Sequence, residues 1–126
     1  MKILFALLSF LVIYCDDSDA PYSQESEKQV IDNLRAEIKK MADISVCSDQ
    51  YECFSTGIGA KPMGGPWEYI IYTGSIDLVD FFAKIETLNE LEAEYNKKFM
   101  IQPTGNVVLP PKSIDCVGGK CIPIYD

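Results

Sequence analysis

Apolar positions recur along this chain in two patterns, one with helical period and one that fills both faces of an extended run. Between residues 24 and 44, Val30, Ile31, Leu34, Ile38 and Met41 fall on one face at helical spacing. Ser23 is placed to cap that helix, and Glu25 and Glu27 sit in its first turn, where the helix dipole favours anions. Asp32 and Arg35 add an i,i+3 pair. A second helix is predicted from about Asp77 to Lys98, where Leu78, Phe81, Phe82, Ile85, Leu88, Leu91, Tyr95 and Phe99 make a continuous apolar stripe. Between the helices, Glu52 to Ile58 reads as extended, and Trp67 to Tyr72 is dense in aromatic and β-branched residues. Trp67, Tyr69 and Ile71 share one face, while Ile70 and Tyr72 share the other with Glu68. Apolar residues on both faces predict a central strand. Asn106 to Leu109 predicts a short strand stopped by Pro110-Pro111, and Cys116 to Tyr125 a hairpin that turns at Gly118-Gly119. The resulting expectation is an α+β fold. Residues 24–126 form a single domain, a small antiparallel sheet with two helices packed on one face, stapled by disulfides.

The apolar run at the start of the chain has a different character. Lys2 precedes Ile3 to Tyr14, 12 residues in which Ser9 is the only clearly polar member. As a helix it would be about 18 Å long, against a hydrocarbon core of about 30 Å. Residues 1–14 therefore read as a signal peptide. Val12-Ile13-Tyr14-Cys15 resembles a bacterial lipobox, with Tyr14 where a small residue is usual. Cleavage there would leave Cys15 as a lipid-bearing N-terminus and residues 15–23, with Asp16, Asp17 and Asp19, as an acidic tether. The acids after Cys15 also resemble the export signal of surface-exposed bacterial lipoproteins. Ser18-Asp19-Ala20 offers an ordinary cleavage site, which would give a freely secreted protein. The leading expectation is export and anchoring in the bacterial cell envelope through lipid on Cys15, with secretion as the alternative.

Charge and composition narrow the function. The whole chain carries −8; without its leader, which holds Lys2 and no acid, ten basic side chains face nineteen acidic ones, or −9. This count argues against nucleic acid as a partner, because phosphate binding needs clustered Lys and Arg. It argues equally against peripheral docking on anionic lipid. The chain has no histidine, which removes Ser-His-Asp and Cys-His nucleophile systems and every His-containing zinc site. Carboxylate-only chemistry, as in glycosidases, remains open, although nothing singles out a pair among the 19 acids. No cofactor is called for.

With Cys15 assigned to lipid, Cys47, Cys53, Cys116 and Cys121 remain, an even count that in an exported chain reads as two disulfides. Three connectivities exist. The spacings favour local pairs, Cys47 with Cys53 around the polar Ser48 to Glu52, and Cys116 with Cys121 around the Gly-Gly turn. A four-thiolate metal site is the rival; neither spacing is CxxC, and an oxidising compartment disfavours free thiolates, so no metal is expected.

One loop stands out as a binding element. In Lys61, Pro62, Met63, Gly64, Gly65 and Pro66, two prolines restrict the backbone, two glycines let it turn, and Met63 falls near the tip. A rigid exposed loop of this kind suits protein or peptide binding, and peptidase inhibition in particular. The plainer and favoured reading is a simple turn into the strand that follows. Trp67, Tyr69 and Tyr72 could line a carbohydrate or peptide site, or pack as core.

Gly59-Ala60-Lys61-Pro62, Gly64-Gly65-Pro66-Trp67-Glu68-Tyr69, Tyr72, Glu94-Tyr95-Asn96 and Cys116-Val117-Gly118-Gly119-Lys120-Cys121 together resemble a family of small bacterial exported lipoproteins. The resemblance spans Cys47 to Cys121 and implies location and fold rather than an activity. It also implies a cysteine at the position of Met63 and another near Asn106. Their joint loss here is what a paired disulfide would leave behind, and it fits local pairing of the remaining four. The expectation is a lipid-anchored, non-enzymatic envelope protein that binds a protein or peptide partner. A peptidase inhibitor using the Lys61–Pro66 loop and a carboxylate-dependent glycan hydrolase are the alternatives.

Overall fold

A computed structural model describes residues 23–126; the expected signal peptide, Cys15 and the expected tether up to residue 22 lie outside the described residues. Helix α1 spans Gln24–Ile44, β1 Cys53–Ile58, β2 Glu68–Thr73, α2 Leu78–Lys98, β3 Ser113–Val117 and β4 Lys120–Ile124. The helix starts are those the side chains dictate. Ser23 Oγ accepts from the Ser26 N–H, and the carboxylate of Asp77 accepts from the Asp80 N–H at 3.1 Å. Helix α2 ends in a Schellman arrangement, with Ile101 N–H donating to Asn96 O and Met100, at φ 48°, taking the left-handed position that glycine usually fills.

The architecture is α+β: two helices packed on each other and on the antiparallel ribbon β1–β2, with a second antiparallel ribbon, β3–β4, lying against the first. The core lies where the helix stripes meet the first ribbon. Ile31, Ile38 and Ala42 of α1, Phe81, Ile85 and Leu88 of α2, and Ile58 and Ile70 are all buried. Tyr72 adds its ring, 5.0 Å from Phe81 and 5.4 Å from Phe82, and burial pushes its phenol pKa up.

The two-faced apolar pattern of β2 has a different cause from the one expected. Among the described residues, strand β2 hydrogen-bonds to β1 alone and is not a central strand. Ile70 and Tyr72 face the helices, whereas Tyr69 and Ile71 line a recess shared with Cys121 and Pro123 of the second ribbon. A covering ribbon, rather than a second hydrogen-bonded neighbour, makes the outer face apolar. Residues 106–109 are irregular rather than a strand. Pro123 stands opposite Ile114 in a ladder that closes at Val117 and Lys120. Alternation of the bonds leaves Pro123 in a non-hydrogen-bonded pair, where its missing N–H costs nothing.

The disulfides correct the local pairing. Cys47 is bonded to Cys116 and Cys53 to Cys121, so both bonds tie the β3–β4 ribbon to the body of the domain. Cys47 N–H also donates to Gly119 O at 3.0 Å, fixing the segment before β1 against the hairpin turn. Thr73, fully buried, donates to Val46 O at 2.7 Å and so pins the same segment to the end of β2. The fit of local pairing to the joint cysteine loss that the resemblance implies is overturned by the same bonds.

Candidate functional site

The Lys61–Pro66 loop belongs to the connection between β1 and β2. Its base is closed by the Ile58–Glu68 pair and by Trp67 N–H donating to Ile58 O at 3.0 Å. Gly64 N–H donates to Lys61 O and Lys61 N–H to Gly65 O, each at 2.9 Å, so the loop closes on itself. Gly64 and Gly65 have φ of 96° and 82°, which L side chains resist, and the space around both is open. These glycines therefore serve the turn and not a close approach. Met63 projects at the tip, 81% exposed.

The root of the loop is held by one face of α2. Asn89 Oδ1 accepts from Gly59 N–H at 2.8 Å, Glu92 Oε1 accepts from Ala60 N–H at 2.7 Å, and Asn96 Nδ2 donates to Ala60 O at 2.7 Å. Positions 89, 92 and 96 follow helical spacing, which places all three side chains toward the same segment. Glu92 is also the partner of Arg35 from α1, with Nη2 and Oε2 2.6 Å apart and side-chain exposures of 20% for Arg35 and 9% for Glu92. Arg35 lies farther from Asp32, at 3.6 Å, and Glu68, at 3.8 Å. Gly59 packs into this network at φ 85°; a Cβ there would meet Glu92 Oε1 at 2.7 Å, Trp67 Cδ1 at 2.9 Å and Arg35 Nη2 at 3.0 Å. No other residue fits that position without moving the latch.

Lys61 reaches away from its own loop. Its ammonium donates to the carbonyl of Asn106 and stands 5.3 Å from the centroid of the Trp67 ring. The segment 103–108 is thereby brought opposite the loop, and the two enclose a recess of about 280 Å³ walled by Pro62, Met63, Pro66, Pro103, Val107 and Val108. All six residues singled out in the sequence line it. The facing segment was not legible as part of a site, because residues 103–108 carry no periodic pattern. The positions where the resemblance expects cysteines, Met63 and the neighbourhood of Asn106, border this same recess.

The other candidates disperse. Trp67 precedes β2, is partly exposed, and lines a second recess with Tyr95 and Ile101. Tyr69 faces the β3–β4 ribbon and Tyr72 the helices, so the three aromatics build no common platform. The acids the fold gathers, Asp32, Glu68 and Glu92, converge on Arg35, and both oxygens of Glu92 are engaged. That arrangement surrounds a cation and does not present two carboxylates across a cleft. The signal for Glu92 and Arg35 exists in the sequence, since each interrupts the apolar stripe of its helix. No family model, no curated protein and no solved structure matches the chain.

Proposed function

We propose that this is a lipid-anchored envelope protein whose domain binds a protein or peptide partner through the Lys61–Pro66 loop, without catalysis of its own. One observation carries the reading: Met63 is exposed at the tip of a loop whose root is fixed by three hydrogen bonds from α2. A loop held in one shape before binding loses less conformational entropy on binding. The exposed thioether supplies an adaptable apolar knob beside a recess that can take an apolar side chain in return. Lipid anchoring rests on the leader, and two disulfides suit the oxidising compartment that export implies.

Panning a random peptide library on the purified mature protein should select binders. Met63→Asp should weaken them about tenfold or more, since a charge set against apolar groups costs over about 1 kcal/mol. The melting temperature should hardly move, because an open tip tolerates the charge. Selected peptides that bind Met63→Asp as well as the parent would remove the loop from the contact. The same projecting tip favours a second reading, peptidase inhibition, with Met63 filling a specificity pocket. Screening against secreted serine, cysteine and metallo-peptidases tests it, and only inhibition abolished by Met63→Asp supports it.

The anchor has its own test. Cys15→Ser should release the protein from the membrane fraction or leave the leader uncut. Unchanged mass together with unchanged membrane association would refute lipidation at Cys15.

A further inference from the structure

We propose that the two disulfides form one exchangeable cluster, in which an external thiol entering at Cys116 re-pairs Cys47 with Cys53 and Cys116 with Cys121 and frees the β3–β4 ribbon from the domain body. The sulfurs of Cys47, Cys53 and Cys121 all lie within 4.8 Å of one another. Cys47 is therefore bonded to Cys116 while standing beside the neighbouring bond between Cys53 and Cys121. Cys116 is exposed and Cys47 buried, so an incoming thiolate meets Cys116 first.

The alternative partners are already in place. Cys116 and Cys121 stand directly opposite each other in the ladder, one step from the closing pair Val117 and Lys120. Hydrogen-bonded and open pairs alternate along such a ladder, which makes Cys116 and Cys121 an open pair, and open pairs typically hold their Cα atoms about 4.5 Å apart. That separation falls within the range of about 4.4–6.8 Å that a disulfide spans. Cys47 and Cys53 flank a tight turn in which Ser48 N–H donates to Tyr51 O and the Ser48 hydroxyl accepts from Gln50 N–H.

The exchange balances without net redox change. An external thiolate attacks Cys116 Sγ, forms a mixed disulfide and releases the Cys47 thiolate. Cys47 attacks Cys53 Sγ, and Cys121 leaves as a thiolate. Cys121 then attacks Cys116 Sγ and expels the external thiolate unchanged. Two disulfides become two disulfides, and the entering thiol acts as a catalyst. In the re-paired state no disulfide joins the ribbon to the rest of the domain. The segment leading into the ribbon forms one wall of the recess beside Met63, so release would open that recess. Only this consequence rests on the binding reading; the exchange stands or falls by itself.

Peptide mapping separates the two states. Trypsin cuts after Lys40, Lys84, Lys112 and Lys120 but not after Lys61, which precedes Pro62. Peptide 41–84 then holds Cys47 and Cys53, peptide 113–120 holds Cys116, and peptide 121–126 holds Cys121. The present pairing joins all three into one species. After exchange, 41–84 runs alone with an internal bond, and 113–120 runs joined to 121–126. The mature protein, incubated without denaturant at mildly alkaline pH with a substoichiometric amount of reduced glutathione and then alkylated, should convert to the second pattern. The rate should rise in proportion to glutathione, and the total free thiol should stay constant. Persistence of the single three-peptide species, or conversion only once denaturant is added, would overturn the proposal. So would net reduction with no re-paired product.

Discussion

Serine at all four paired cysteines should abolish cooperative folding, while loss of either bond alone should leave a folded but weakened domain. The bonds close loops of 69 and 68 residues. In the chain-entropy picture, one bond across a loop of that length stabilises by about 4 kcal/mol. The second bond closes far less chain. Once the first exists, the remaining ring runs only from Cys47 to Cys53 and from Cys116 to Cys121, about a dozen residues and about 3 kcal/mol. Together they contribute about 7 kcal/mol, comparable with the whole net stability of an ordinary domain. Removing either bond should therefore cost about 3 kcal/mol and more than about 10 °C in melting temperature. Removing the other afterwards should cost about 4 kcal/mol. Thermal unfolding of Cys47→Ser/Cys116→Ser, of Cys53→Ser/Cys121→Ser and of the quadruple variant measures this directly. A quadruple variant that still melts cooperatively near the parent temperature would show that the covalent ties contribute little. Equal and fully additive losses would show that the two rings are independent, contrary to their nested positions.

The same nesting explains why the pairing was not legible from spacing. Cys47 and Cys53 lie six residues apart and Cys116 and Cys121 five, and each pair alone suggests a closed local loop. The near-equal steps carried the other signal: two segments with matching cysteine spacing can lie side by side and bond first to first and second to second. Helix bounds were legible because they depend on local chemistry. Ser23, the acids of the first turn and the apolar period fix α1, and Asp77 fixes the start of α2. Strand β2 was legible as a strand but not in its neighbours, because an apolar outer face looks the same under a covering ribbon as in the middle of a sheet. The loop from Lys61 to Pro66 was legible from its prolines and glycines. Its latch was visible only as two charged interruptions in apolar stripes, which reveal their purpose once Arg35 and Glu92 meet.

That meeting sets the second large expected effect. Glu92→Leu should destabilise the domain by about 3–4 kcal/mol and loosen the root of the Met63 loop. Removing one partner of a buried pair costs roughly 3–5 kcal/mol, mainly because the other charge stays behind unpaired. Arg35 keeps Asp32 and Glu68 only at 3.6 and 3.8 Å, and its 20% exposure admits some water, which puts the loss toward the lower end. The substitution also strips the acceptor from Ala60 N–H, an orphaned donor worth about 1–3 kcal/mol where water cannot replace it. Glu92→Gln keeps that acceptor and should cost about half as much. Adding Arg35→Met to Glu92→Leu should recover part of the stability, because the uncompensated charge disappears with its side chain. Denaturant unfolding of the three variants gives the energies, and amide exchange at Gly59 and Ala60 reports the latch. In Glu92→Leu the Ala60 amide should exchange far faster than in the parent, while core amides such as those of Ile58 and Ile70 should follow global stability alone. If Glu92→Leu unfolds within about 0.5 kcal/mol of the parent and Ala60 stays protected, the Arg35–Glu92 pair does not hold the loop. The rigidity of its tip would then have to come from the backbone bonds between Lys61, Gly64 and Gly65.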